Sequence, residues 1–206
     1  MNALVLLDYL GVALFAATGA LAASRKELDV VGFVFLAAVT GIGGGTARDI
    51  ILGVDVFWIV EPIYVLTCAV TAVVIFFTAH LVESRYRWLL WLDALALSAY
   101  CVLGAAKGLA ASGSPIVAIV MGMLTGTFGG ILRDVLAHEK SVLLRREIYV
   151  TAALLGSTAY VAAMLLGAGS VVSALAGFAA TIAIRGGALW FGWTLPTYRS
   201  RPGRSM

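Results

Sequence analysis

Apolar residues run in seven long blocks along this chain, separated by short polar gaps. A helix needs about 20 apolar residues to span a bilayer. On that measure the blocks near 4–23, 29–53, 63–82, 90–111, 115–137, 148–168 and 171–192 each predict a membrane-crossing helix. The gaps are Ser24 to Glu27, Gly53 to Glu61, Glu83 to Arg87, Ser112 to Pro115, His138 to Glu147 and Gly167 to Gly169. Pro62 and Pro115 open blocks, where proline costs a helix little. The first block carries Asp8 and has no basic leader or cleavage site, so it reads as a retained helix rather than a signal peptide.

Within the second block lies Thr40-Gly-Ile-Gly-Gly-Gly-Thr-Ala-Arg-Asp49, and within the fifth lies Thr125-Gly-Thr-Phe-Gly-Gly-Ile-Leu-Arg-Asp134. The two stretches are 85 positions apart, and the same offset pairs Asp8 with Asp93, Gly19 with Gly104, Arg48 with Arg133 and Tyr64 with Tyr149. The register holds from residue 8 to residue 65 without a gap. The chain therefore divides into a first three-helix repeat over 1–85, a second over 86–168, and a seventh helix with a basic tail over 169–206. Three spans per repeat is an odd number, so the second copy enters the membrane from the opposite side. The predicted fold class is an all-α membrane protein with a 3+3 inverted repeat plus one helix. In that architecture the working site sits at the repeat interface.

Composition agrees: 62% of the 206 residues are hydrophobic and 12% charged, far from the usual soluble balance of about one quarter charged. The net charge of +3 comes from basic residues scattered through short loops, which reflects topology rather than nucleic-acid binding. Arg25, Lys26, Arg85, Arg87, Lys140, Arg145, Arg146, Arg185, Arg199, Arg201 and Arg204 fall on one face, and Lys107 alone on the other. Positive charge stays inside, so the N-terminus is expected outside and the C-terminus in the cytoplasm of a cell-membrane protein. Cys68 and Cys101 lie in apolar blocks and read as small buried hydrophobes. No nucleophile arrangement or metal spacing is visible, and the glycine run lacks the Gly-Lys-Ser/Thr ending of a phosphate loop. An enzyme is not expected.

The candidate chemistry sits in the paired motifs. Gly41, Gly43, Gly44 and Gly45 in the first copy, and Gly126, Gly129 and Gly130 in the second, permit close helix packing or a helix break. Each glycine lowers helical stability by about 0.8–1 kcal/mol, and four in five positions favour a kink that frees carbonyls. Phe128 replaces a glycine in the second copy, so that copy should bend less, with Phe128 plugging a pore or simply packing. Arg48 and Arg133 are interfacial anchors, partners of carboxylates and carbonyls, or anion ligands. Neighbours on a helix do not face each other, so each arginine is expected to pair elsewhere than with Asp49 or Asp134. Asp8 and Asp93 open their blocks and read as helix caps ahead of ion binding. Lys107 is an outer anchor or a charge hanging into a vestibule. His80 and His138 lie at block ends.

Taken with Asp93-Ala-Leu-Ala-Leu97, Gly104-Ala-Ala-Lys107 and Arg146-Glu-Ile-Tyr149, the paired motifs resemble the prokaryotic branch of the trimeric intracellular cation (TRIC) channel family. The resemblance covers about residues 8 to 165. It implies a homotrimer of seven-helix subunits, each with its own pore past kinked second and fifth helices. Monovalent cations, chiefly potassium, would pass, with no cofactor beyond those permeant ions and bound lipid. On this reading the pore and gating residues are Gly41, Gly43, Gly44, Gly45, Arg48, Asp49, Lys107, Gly126, Phe128, Gly129, Gly130, Arg133 and Asp134. The same repeat is also described as a glycine transporter domain, which makes a secondary transporter of glycine or another small amino acid the alternative. In the animal branch basic residues near the second motif hold a phosphoinositide, and Arg133 matches them only loosely.

Overall fold

A computed structural model describes residues 3–82, 84–141 and 147–196. It is helical throughout the described residues apart from short connections. The helices are α1 (Ala3–Arg25), α2 (Val30–Leu52), a single turn α3 (Phe57–Val60), α4 (Ile63–Thr78) closed by a 3-10 turn (Ala79–Leu81), α5 (Arg85–Ser112), α6 (Pro115–Leu136), α7 (Val150–Leu165) and α8 (Ser170–Phe191). Six are long and apolar enough to cross a membrane, and α7 is a shorter apolar helix. The seven expected blocks correspond to α1, α2, α4, α5, α6, α7 and α8. The sequence reading omitted α3, whose four residues lie in the gap from Gly53 to Glu61.

Local chemistry sets the ends. The Asp29 side chain accepts the Gly32 N–H at 2.7 Å and caps α2. Ser84 and Ser114 open α5 and α6 in the same way, with Pro115 in the first turn. Gly53 ends α2 at φ 66°, a left-handed conformation suited to glycine. At the matching position after α6, His138 adopts φ 49°. There the Glu139 N–H returns to the Asp134 carbonyl at 2.8 Å, as Val54 N–H does to Asp49 at 3.0 Å. The repeat thus extends to the backbone of its turns.

α5 is the most enclosed of the six long helices and α4 the least. It packs on α1, α6, α7 and α8, while α1 also packs on α2 and α4, and α2 crosses α6. α8 lies against α5 and α7 and touches the second half of the chain. Alanines recur through both core clusters among larger side chains such as Phe15, Phe33, Tyr100 and Tyr149, and let helix backbones approach closely. One end of the bundle gathers the close of α1, the start of α5 and the close of α6: Arg25 and Lys26 each pair with Glu139 at 3.3 Å, and Arg85 donates to the Ser24 carbonyl at 3.1 Å. The opposite end gathers the close of α2 and the close of α5, so α2 and α6 run in opposite directions.

Candidate functional site

The α2–α6 crossing is the centre of the site. A Cβ at Gly44 would run into the carbonyl of Thr125, and a Cβ at Gly129 into the carbonyl of Thr40. Gly44 and Gly129 are repeat partners, as are Thr40 and Thr125, so the contact is reciprocal. Both helices run through their glycine clusters without interruption. Neither helix is broken at its cluster: close approach offsets the accumulated propensity deficit, because each helix is supported along its length by its neighbours. Thr40 and Thr125 return their hydroxyls to the carbonyls of Leu36 and Met121, four residues back. Gly41, Gly45, Gly126 and Gly130 are buried against neighbouring side chains or backbone, while Gly43 and Phe128 are half-buried.

Two charged tiers lie at opposite ends of this crossing. In the first, Arg48 Nε donates to Asp49 Oδ1 at 2.7 Å, and Lys107 Nζ reaches the same oxygen at 2.9 Å. Asp49 Oδ2 accepts the Phe57 N–H at 3.0 Å, which ties α3 to α2. Trp58 adds a second tie, donating to Thr46 Oγ1 at 2.8 Å. Asp8 accepts from the Tyr64 hydroxyl at 3.2 Å, and Tyr9, stacked on Tyr64, donates to Glu61 at 2.8 Å. A cavity of about 280 Å³ opens here, lined by Asp55, Phe57, Val60, Glu61, Tyr64 and Lys107. Lys107 thus lines this cavity while bonded to a buried carboxylate.

In the second tier Arg133, only 2% exposed, donates from Nη1 to Asp93 Oδ1 at 2.6 Å and to Thr18 at 3.0 Å. Its Nε and Nη2 both reach Asp134 Oδ1, at 3.0 and 2.9 Å. Arg185 on α8 donates to Glu147 at 2.7 Å and to the Ile148 carbonyl at 3.3 Å, with its guanidinium 5.1 Å from the Tyr149 ring.

Three expectations are corrected by this geometry. Each arginine does bond the adjacent aspartate, because a guanidinium on a long stem swings around the helix where a shorter side chain would not. Asp8 and Asp93 are not caps: α1 and α5 begin several residues earlier, which places both carboxylates inside the helices. Arg185 is not a flanking charge on the cytoplasmic face, since it is 1% exposed within the bundle. Arg145, Arg146, Arg199, Arg201 and Arg204 lie outside the described residues. Asp8, Asp93, Tyr64, Tyr149, Thr18 and Arg185 join the tiers without having been chosen as site residues. For the first four the signal was present, because each recurs at the 85-residue offset among apolar neighbours that match by chance.

A family model described as glycine transporter matches residues 5–80 and again 90–165. A UPF0126 membrane protein of Vibrio cholerae is 40% identical over 204 residues, covering 95% of this chain and 82% of the relative. The UPF0126 inner membrane protein YadS of Escherichia coli is 35% identical over 195 residues, covering 93% and 94%. Among solved structures, the TRIC trimeric intracellular cation channel orthologue from Rhodobacter sphaeroides superposes with a TM-score of 0.91 at 54% identity, over 94% of this chain and all of that one. A structure described for conductance through TRIC cation channels gives 0.87 at 28% identity, covering 98% and 100%. A trimeric intracellular cation channel from C. elegans, at 14% identity and a TM-score of 0.62, shares the fold.

Proposed function

The chain belongs to the glycine-transporter-domain family and resembles solved prokaryotic TRIC channels, and from that premise we propose that it is a homotrimeric, potassium-preferring channel for monovalent cations with one path in each subunit. The observation that carries this reading is the pair of buried charged tiers at opposite ends of the α2–α6 crossing, all within one subunit. The path runs beside the crossing, from the Lys107–Asp49 vestibule to the Arg133–Asp134 tier. Gly41, Gly43, Gly44, Gly45, Gly126, Gly129 and Gly130 set the helix spacing along it rather than opening a break, and Phe128 borders it. Both arginines are held by carboxylates, so cations meet a neutralised guanidinium rather than a bare one. The likeness to structures described as trimeric cation channels supports the trimer and the cation path, and potassium preference is our own extension of it. The apolar outer faces meet membrane lipid and the other subunits. The 3+3 inverted repeat accounts for the reciprocal Gly44–Thr125 and Gly129–Thr40 contacts. The vestibule lies outside and the Arg25–Glu139 end in the cytoplasm, with the N-terminus out and the C-terminus in.

Purified protein in planar bilayers under a potassium–sodium gradient tests this. A reversal potential displaced toward potassium is expected, and absence of current or anion selectivity overturns the reading. The alternative is a transporter of glycine or another small amino acid, favoured by the description of the family model. Uptake of labelled glycine into proteoliposomes that lack potassium current would establish it instead.

A further inference from the structure

Each tier holds a buried tyrosine from the paired positions, and one polar side chain covers the ring of each. Tyr64 is covered by Tyr9, with ring centroids 4.3 Å apart, and the Tyr9 hydroxyl donates to Glu61 at 2.8 Å. Tyr149 is covered by Arg185, whose guanidinium carbon lies 5.1 Å from the ring centroid and whose Nη2 donates to Glu147 at 2.7 Å. The covering group and its carboxylate recur, but their source does not. Counting on by 85 from Tyr9 gives Ala94, too short to cover a ring, so the second tier draws its cover from α8, the helix outside the repeat. That helix is firmly seated. A Cβ on Gly156 or Gly177 would lie 2.9 Å from the other's carbonyl oxygen, and Thr181 Oγ1 meets Cys101 Sγ of α5 at 3.0 Å.

We propose that Arg185 is a positioning residue of the second tier: it holds Tyr149 against Asp93 and so fixes the Arg133–Asp93 pair at that end of the path. The contacts form one chain. Arg185 also donates to the Ile148 carbonyl at 3.3 Å, which anchors the backbone beside Tyr149. The Tyr149 hydroxyl interacts with the Asp93 carboxylate, and the two groups flank Gly130, 2.6 and 3.4 Å from where its Cβ would stand. Asp93 in turn accepts from Arg133 at 2.6 Å. All four side chains are at most 2% exposed, so their places are set by one another rather than by solvent. A guanidinium suits this post, because it covers an aromatic ring and donates from several nitrogens at once. The consequence rests on the channel reading: through α8, the part of the chain added to the repeat bears on one end of the path and not the other.

Fluorine NMR of the purified full chain tests it, with 3-fluorotyrosine in place of Tyr149 as the probe. Arg185→Met should move or split the resonance, and Arg185→Lys should move it less, since an ammonium keeps the charge but loses the planar fork. Neither change strands Glu147, which is partly exposed and borders a cavity of about 180 Å³. Thr181→Ala is the control, because it loosens α8 against α5 without touching the tier. In potassium current, Arg185→Met should change the open probability several-fold, and Tyr149→Phe should do the same by removing only the hydroxyl. The double variant should add nothing, because Arg185 acts through that hydroxyl. A resonance that stays in place in Arg185→Met, or that Thr181→Ala moves equally, overturns the positioning role, and so do additive effects on open probability. If Arg185→Met does not fold, Arg185→Lys carries the same readings. Wild-type protein without current would sink the channel reading alone, since the resonance reports the seating of Tyr149 whatever passes.

Discussion

Gly44 rests directly on the main-chain carbonyl of Thr125, with no room for a methyl group between the helices. An alanine there meets backbone rather than a yielding side-chain end. Gly44→Ala and Gly129→Ala should each destabilise the fold by about 1–3 kcal/mol, the usual cost of overpacking. Gly43→Ala is the control, since its Cβ would meet only the Cδ1 end of Leu132, at 2.9 Å. Thermal unfolding of the purified protein in detergent measures all three. Equal melting temperatures for Gly43→Ala and Gly44→Ala would show that the crossing has slack.

Arg133 and Arg48 differ in what they leave behind. Arg133→Ala removes the cation that neutralises buried Asp93, and should cost about 3–5 kcal/mol or prevent assembly. Arg48→Ala leaves Asp49 with Lys107 and the Phe57 N–H, so the loss should be nearer the value of one charged hydrogen bond, about 1.5–3 kcal/mol. Unfolding in the same detergent ranks them. The reverse order would show that the second tier is not the structural clamp.

Lys107 places a positive charge in the vestibule on the way to Asp49. Replacing it with methionine should raise unit potassium conductance at about 0.1 M salt and leave it little changed at about 1 M, where charges are screened within about 3 Å. Single-channel recording across a potassium chloride series reads the effect. An increase that is the same at every salt would point to widened space instead of charge.

The proposed topology rests on the clustering of Arg25, Lys26 and Arg85 at one end of the bundle and Lys107 at the other. Removing buried Arg185 from that reckoning does not alter its sense. A cysteine replacing Ser200, in a chain lacking Cys68 and Cys101, should resist an impermeant thiol reagent applied to intact cells. Labelling from outside would reverse the assignment.

Much of this was legible before any coordinates. The seven apolar blocks carried the helices, and Asp, Arg, Gly-Gly and Tyr at one offset carried the repeat, because such residues rarely coincide by chance among leucines and alanines. What was not legible is three-dimensional. Glycine propensity describes an isolated helix, whereas Gly44 and Gly129 sit in helices braced on several sides. Adjacency on a helix says where Cα atoms point, not where the far end of Arg48 or Arg133 arrives. Asp93 looked like a cap because its apolar block starts beside it, yet α5 begins at Arg85 in the charged gap before. Arg185 looked like a flanking charge because Glu147, its partner, is far away in sequence.

α7 has a further consequence at the protein's rim. Its 16 residues rise about 24 Å, against a hydrocarbon layer of about 30 Å. Lipid tails beside it must shorten, or its ends must draw headgroups inward, and either response costs a fraction of a kcal/mol for each ångström of mismatch. The protein is therefore unevenly fitted to its solvent, and a thicker bilayer loads the exposed face of α7.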